Sequence, residues 1–356
     1  MTARPHEQEP MTLLQLTPDL LPTALPSGWR AHVPGPDDVP DLHALRARHE
    51  VVARGARTAG ADATQAEVTG DGAGTRVHVV VRDTTGAARG WATVTDRAAG
   101  RVLVAVVVDP DLDDATGDEV AAALFAWAEA AGLALARARG LTRTQLDSGA
   151  FDADPRQQRR LVAAGYARVR RWWQMRRPVG DDDRGLRPTG PGVVVRRLRR
   201  AADGAPDERD LVASHDVLEQ AFADHFNHHE ETFDEFLARL RADPGHRWDH
   251  WWIAELVDGA EPAPVGVLIA SASVDEQGRA VGSYVEYLGV LRTARGRGVA
   301  RSLLDAVVTD AAERGRTRVA LEVDADSPTG AADLYVRCGF STSYVTQSWH
   351  RYVDVT

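Results

Sequence analysis

Tyr284-Val285-Glu286-Tyr287-Leu288-Gly289-Val290 followed, after four residues, by Arg295-Gly296-Arg297-Gly298-Val299-Ala300 decides how this chain is read. The first run is apolar and rich in aromatic and β-branched residues, which predicts a strand, and Ala300 to Arg314 carries helical patterning. A strand, a glycine-rich turn and a helix start leave several backbone N–H groups unpaired and aimed at one point, where the helix dipole favours negative charge. That is a cradle for a pyrophosphate. Gly296 and Gly298 permit unusual backbone angles and close approach of a ligand, and Arg295 and Arg297 can fork onto phosphate oxygens. Glycine and arginine also fill ordinary surface loops, so the spacing has to carry the assignment.

The spacing Val290-x-x-x-x-Arg295-x-x-Gly298-x-Ala300 resembles the acyl-CoA signature of the GNAT superfamily of acyl-CoA-dependent N-acyltransferases. The resemblance continues through a buried strand pattern, Thr317 to Asp324, then Asp326-Ser327-Pro328 to Tyr335, and ends at Cys338-Gly339-Phe340. It implies an α+β fold, acetyl-CoA as acyl donor and no metal. It further implies a donor site built from Leu288, Val290, Arg295, Gly296, Arg297, Gly298, Val299, Ala300 and Ser327, with backbone groups of Leu288 and Val290 holding the pantetheine arm. Tyr335, four residues before Gly339, stands where the family commonly places the acid that protonates the leaving thiolate. Family bases often lie six residues before the Val290 position, which here is Tyr284, so the carboxylate of Glu286 is one same-face step away. Strict strand alternation puts Tyr284, Glu286, Leu288 and Val290 on one face and Val285, Tyr287 and Gly289 on the other.

A length of 356 residues suits two domains of roughly 150 residues each, and the chain reads as a repeat. Val108-Asp109-Pro110 occupies the place of Val290, Asp118 to Gly132 is an amphipathic helix, and Gly165-Tyr166 matches Gly339-Phe340. Arg168 to Arg176 mirrors Tyr344 to Tyr352 as a terminal strand. Laying Val108 on Val290 sets Asp113 opposite Arg295 and Thr116 opposite Gly298, and four carboxylates in Asp109 to Asp114 would repel a diphosphate. Leu161 then stands opposite Tyr335. The organisation predicted is a tail at 1–26, a GNAT-like domain without a CoA site at 27–178, a linker at 179–192 and an active domain at 193–356. Each domain is expected to be a mixed, mostly antiparallel sheet flanked by helices, an arrangement similar to the mycothiol synthase type.

Bulk properties narrow the function further. No apolar run approaches the roughly 18 residues that span a bilayer, and Met1 to Pro10 lacks a basic start and apolar middle, so a cytoplasmic protein without membrane association is expected. A net charge of −10 argues against nucleic-acid binding. The single cysteine, Cys338, excludes an internal disulfide and reads as a small buried hydrophobe. The cluster Asp224, His225, His228, His229, Glu230 and Glu231 lacks a closed ligand pattern, and His246 and His250 follow Pro244-Gly245, which favours a loop over a metal-binding helix. Ala56 to Gly74 reads as a loop as well. The expected activity is acetyl transfer to a primary amine of a small molecule or peptide by a monomer or homodimer. A non-catalytic acyl-CoA sensor and acetylation of an amino-sugar thiol are the alternatives.

Overall fold

The computed structural model describes residues 25–57, 61–70, 76–97, 100–185, 190, 192–223, 231–241, 246–259, 261–275, 277–326 and 330–355. Two compact units account for them: Met1–Arg171 with Val345–Thr356, and Trp172–Tyr344. Most of the predicted tail, most of the linker's centre, the His-rich cluster up to Glu230, and Ser327 lie outside the described residues.

The first unit holds β1 (Arg30–His32), α1 (Val39–Arg54), α2 (Ala61–Thr69), β2 (Arg76–Arg82), β3 (Ala88–Arg97), β4 (Arg101–Val108), α3 (Asp114–Ala138), β5 (Arg143–Phe151) and α4 (Pro155–Ala163). Its sheet runs β1-β2-β3-β4-β5, antiparallel except for the parallel β4–β5 pair. Helix α2 falls in the stretch predicted as loop. Its Ala/Thr-rich sequence has little amphipathic contrast, and among its described side chains only Thr64 and Val68 are buried, so the periodic signal is weak. Helix α3 is long and apolar enough to cross a membrane, but most of it is buried in this unit's core around Leu124, Trp127 and Leu135.

The second unit holds β7 (Val193–Arg197), α5 (Glu208–Phe222), α6 (Phe233–Arg241), β8 (His246–Leu256), β9 (Ala263–Val274), β10 (Ala280–Val290), α7 (Val299–Glu313), β11 (Arg318–Asp324) and α8 (Ala331–Arg337). Its strands run β7-β8-β9-β10-β11, and β10–β11 is again the parallel pair. His246 and His250 lie in strand β8 rather than in a loop or helix. Strand β9 is buried over most of its length because both faces are covered, by α7 on one side and α5 on the other.

The repeat is visible in register. Val81 pairs with Gly90 and Gly90 with Val108; Ala254 pairs with Gly266 and Gly266 with Val290. Both glycines are needed for close packing of a helix on the sheet. A Cβ on Gly90 would stand 2.7 Å from Val120 and 2.9 Å from Leu124, and one on Gly266 would stand 2.6 Å from Val299 and 3.1 Å from Leu303.

The last strand of each sheet comes from elsewhere in the chain than a contiguous division at 178 and 193 supposes. Strand β6 (Ala167–Pro178) pairs through Trp172–Pro178 with β11, within the second unit. Strand β12 (Ser341–Asp354) pairs through Thr346–Asp354 with β5, within the first. Sequence order cannot report this, because it does not say which sheet a terminal strand joins. Trp349 and Val353 of β12 are buried in the first unit's core. Trp349→Ala is expected to destabilise that unit by about 3 kcal/mol, and a chain ending at Tyr344 to lose its cooperative unfolding. Urea denaturation followed by circular dichroism checks both, and unchanged transitions would contradict the exchange.

Candidate acyl-donor and acceptor site

Strands β10 and β11 run together only from Gly282–Arg318 to Val285–Leu321. Beyond that register they part. Strand β10 continues to Val290 paired on one side with β9, and β11 continues to Asp324 paired on one side with β6. Leu291 N–H donates to Val265 at 2.9 Å, so by antiparallel alternation Gly289 and Tyr287 also bond towards β9. Leu288 and Val290 therefore turn their N–H and C=O groups into the gap. An extended amide-bearing arm laid in that gap would meet strand-like hydrogen-bonding partners.

At the end of β10 the chain turns through Arg292–Ala294 to Gly296 and Gly298, with φ of 76° and 80°. Helix α7 then starts at Val299 with Gly298 as N-cap and no side-chain cap. Helices α3, α4 and α5, in contrast, are each capped by an aspartate, through Asp113, Asp154 and Asp207. A glycine cap leaves the first N–H groups of α7 facing outward with the dipole's positive end. Val299 is buried against the sheet and Ala300 is half-buried. Arg295 is exposed and has no side-chain partner among the described residues. Arg297 is ion-paired to Asp258.

The expected alternation on β10 fails at Glu286. A register shift between Val285 and Tyr287 makes Glu286 a bulge residue, and faces invert across it. Val285, Leu288 and Val290 consequently share the α7 face, while Tyr287 and Gly289 face α5. Glu286 is exposed and its Oε1 accepts a 2.6 Å bond from Ser271 Oγ. Ser271 pairs with Tyr284 and shares a face with the α5-side residues Val267 and Ile269, so the carboxylate also turns to that side. Burial, with Glu322, Glu286 and Tyr344 adding, drives the Tyr284 hydroxyl well above its ordinary pKa.

Tyr335 sits on the opposite face. It is 8% exposed, belongs to the same apolar cluster that Leu288, Val290 and Val323 join, and meets Phe340 edge-on at 5.9 Å. Burial, with Cys338 adding, pushes its hydroxyl up to about 12, so it is protonated at neutral pH. The structure thus brings Leu288, Val290, the glycine turn and Tyr335 to one side of the parted strands and Glu286 to the other. Glu322, on the second lip of the gap, was not singled out by sequence reasoning. Its signal is a polar residue alternating with Leu321 and Val323 in a buried strand.

The acetyltransferase (GNAT) family model matches residues 214–340, from α5 to Phe340. The C-terminal half carries a GNAT acetyltransferase domain. A GCN5-related N-acetyltransferase from Sphaerobacter thermophilus is similar in structure over 93% of this chain and 98% of its own, with a TM-score of 0.74 and 24% identity. A tandem GNAT protein from the clavulanic acid biosynthesis pathway is similar over 91% and 98%, with a TM-score of 0.65 and 15% identity. A GCN5-related glucosamine N-acetyltransferase region of a fungal β-N-acetylglucosaminidase is similar over 92% of this chain and 38% of its own, at 0.65 and 14%. At these identities the likeness speaks for the fold. No curated protein matches the chain. The GNAT domain makes the chain an acyltransferase, and its family uses acetyl-CoA.

The first unit repeats the strand order of the second but not this turn. Val120 and Leu124 stand on Gly90 as Val299 and Leu303 stand on Gly266, yet Val299 opens α7 whereas α3 has already run from Asp114 to Glu119. The equivalent of Gly298 is accordingly Glu119, not Thr116. Helix α3 projects about 9 Å further, at 1.5 Å per residue, into the place the turn occupies in the GNAT domain. Its N-terminus is closed by Asp113, which accepts from Thr116 N–H at 3.0 Å. The carboxylates are not simply repulsive either: Arg89 and Arg48 bind buried Asp109 at 2.8 and 3.1 Å, and Arg156 binds Asp114 at 2.5 Å. Leu161 is buried on α4.

In the GNAT domain a Cβ on Gly298 would combine a positive φ with a 3.1 Å approach to Gly190 Cα. Gly298→Ala is expected to cost about 1–2 kcal/mol of stability and to weaken acetyl-CoA binding several-fold, measured by denaturation and calorimetry. Unchanged values for both would show that the turn tolerates a side chain.

Proposed function

We propose that the chain moves an acetyl group from acetyl-CoA to a primary amine of a small molecule or peptide, and that the GNAT domain of the second unit does the chemistry. The observation that carries this reading is the uncapped start of α7 lying directly after a strand whose outer edge is open from Glu286 onward. Pyrophosphate fits the helix start with Arg295 beside it, and the pantetheine amides fit the backbone groups of Leu288 and Val290. An arm held along β10 carries its thioester towards the point where the strands part.

The reaction needs little more than placement. Holding amine and thioester in contact replaces a bimolecular encounter, which supplies a large share of the acceleration. The amine nitrogen attacks the carbonyl carbon, the new C–N bond forms and the C–S bond breaks. Glu286 takes the proton lost by the amine, directly or through water, from the α5 side. Tyr335 gives its proton to the departing thiolate from the α7 side, and its raised pKa keeps that proton available throughout the neutral range. The first unit takes no donor in this reading, because α3 and its aspartate cap occupy the cradle.

Release of free thiol from acetyl-CoA across amino acids, polyamines, aminoglycosides, amino-sugar thiols and peptide N-termini tests the activity. Tight acetyl-CoA binding without turnover of any of them would favour a sensor. Tyr335→Phe is expected to lower kcat by about 10²-fold with little change in donor KM, and equal kcat would remove the tyrosine from the mechanism. Glu286→Gln should depress kcat/KM most at low pH, where amine deprotonation is hardest; an unaltered pH profile would assign the proton elsewhere. Calorimetry on the full chain should give one acetyl-CoA per chain, and two would restore a donor site to the first unit.

A further inference from the structure

The charge on the acceptor side of the gap goes beyond what transfer to an amine requires. Glu286 and Glu322 follow the last paired residues, Val285 and Leu321, so they form the two lips where β10 and β11 part. Leu321 and Val323 point into the α7-side core, which turns Ala320 and Glu322 to the α5 face. Ala320 is the parallel partner of Tyr284, so that ring lies on the same face. Both carboxylates and Tyr344 act on the Tyr284 hydroxyl, which locates all four groups in one neighbourhood.

Glu322 has no ionic partner among the described residues. Its neighbour is the Gln174 amide of β6, which donates a hydrogen bond to Oε2. The cation nearest in register on this face, Arg176, stands opposite Ala320 and forms no ion pair with Glu322. Glu322 is exposed at this lip, between buried Leu321 and Val323. A negative group held this way at the mouth of a reaction gap favours a positive one beside it.

The reacting amine cannot supply that charge. It must be neutral to attack, having given its proton towards Glu286. We propose that the acceptor carries a second ammonium group that does not react, and that Glu322 is the residue that selects it, with Tyr284 and Tyr344 offering ring faces alongside. The substrate class is then an amine with a second cationic centre a few bonds away. This inference rests on the acetyl-transfer reading above.

Steady-state kinetics on the full chain decide the matter, using acetyl-CoA with a linear alkyl diamine and with the alkyl monoamine of the same length. The diamine is expected to show at least about a tenfold higher kcat/KM, the equivalent of about 1.4 kcal/mol. Glu322→Gln should bring the diamine-to-monoamine ratio close to one, the loss falling on the diamine's KM rather than its kcat; the ratio cancels any general loss of folded protein. Glu322→Asp should retain part of the preference. Turnover of both amines with equal kcat/KM, or a Glu322→Gln variant with the wild-type ratio, overturns this inference and leaves acetyl transfer standing. No thiol release with any amine overturns both.

Discussion

Everything at the candidate site depends on where two parallel strands stop being hydrogen-bonded. Had β10 and β11 paired to their ends, Leu288 and Val290 would have spent their backbone groups on β11. The turn to α7 would then have led to a closed sheet edge. By parting after Val285 and Leu321, the strands leave backbone donors and acceptors unpaired in the middle of a covered sheet. Such groups cost free energy when they lack partners, so the gap is a place that water or a ligand must fill. The β6 strand makes this tolerable by holding the far side of β11.

The two copies of the fold show how small a change separates an open cradle from a closed one. Both place a glycine on the third strand of the unit and a Val–Leu pair of a helix over it. In one copy the helix begins at that contact; in the other it has run on from Asp114, with an aspartate cap and three arginines neutralising the approach. Lengthening a helix at its N-terminus gains hydrogen bonds and a cap, which stabilise the unit while removing a binding surface. Keeping α7 short and uncapped forgoes that stabilisation.

Much of this was legible in residues 284–300, because glycine spacing, strand composition and helix start are local properties. The repeat was legible for the same reason, and Val108 does match Val290 in register. Three features were not. The bulge at Glu286 depends on how β9 pairs opposite it, and nothing in Val285-Glu286-Tyr287 distinguishes a bulge from regular strand. The start of α3 was misplaced because Asp-Leu-Asp-Asp serves equally as loop and as helix cap, and only contact with Gly90 sets the offset. The exchange of β6 and β12 is a choice of long-range partner, which sequence order settles wrongly.

That exchange has a consequence for how the protein comes into being. Domains emerging from the ribosome ordinarily fold in order, each completed before the next is made. Here β5 waits for a strand that is translated only after the whole second unit, so its edge is exposed during synthesis, with unpaired backbone groups that invite pairing with other chains. The second unit opens with the β6 residues Trp172–Pro178 and runs without interruption to Tyr344, so its strands emerge in sequence. The acyltransferase half is therefore fully translated first, and the last strand of the half without an open cradle is translated last. The second unit is one continuous piece of chain, whereas the first is interrupted by it and is complete only when Val345–Thr356 is joined to Met1–Arg171.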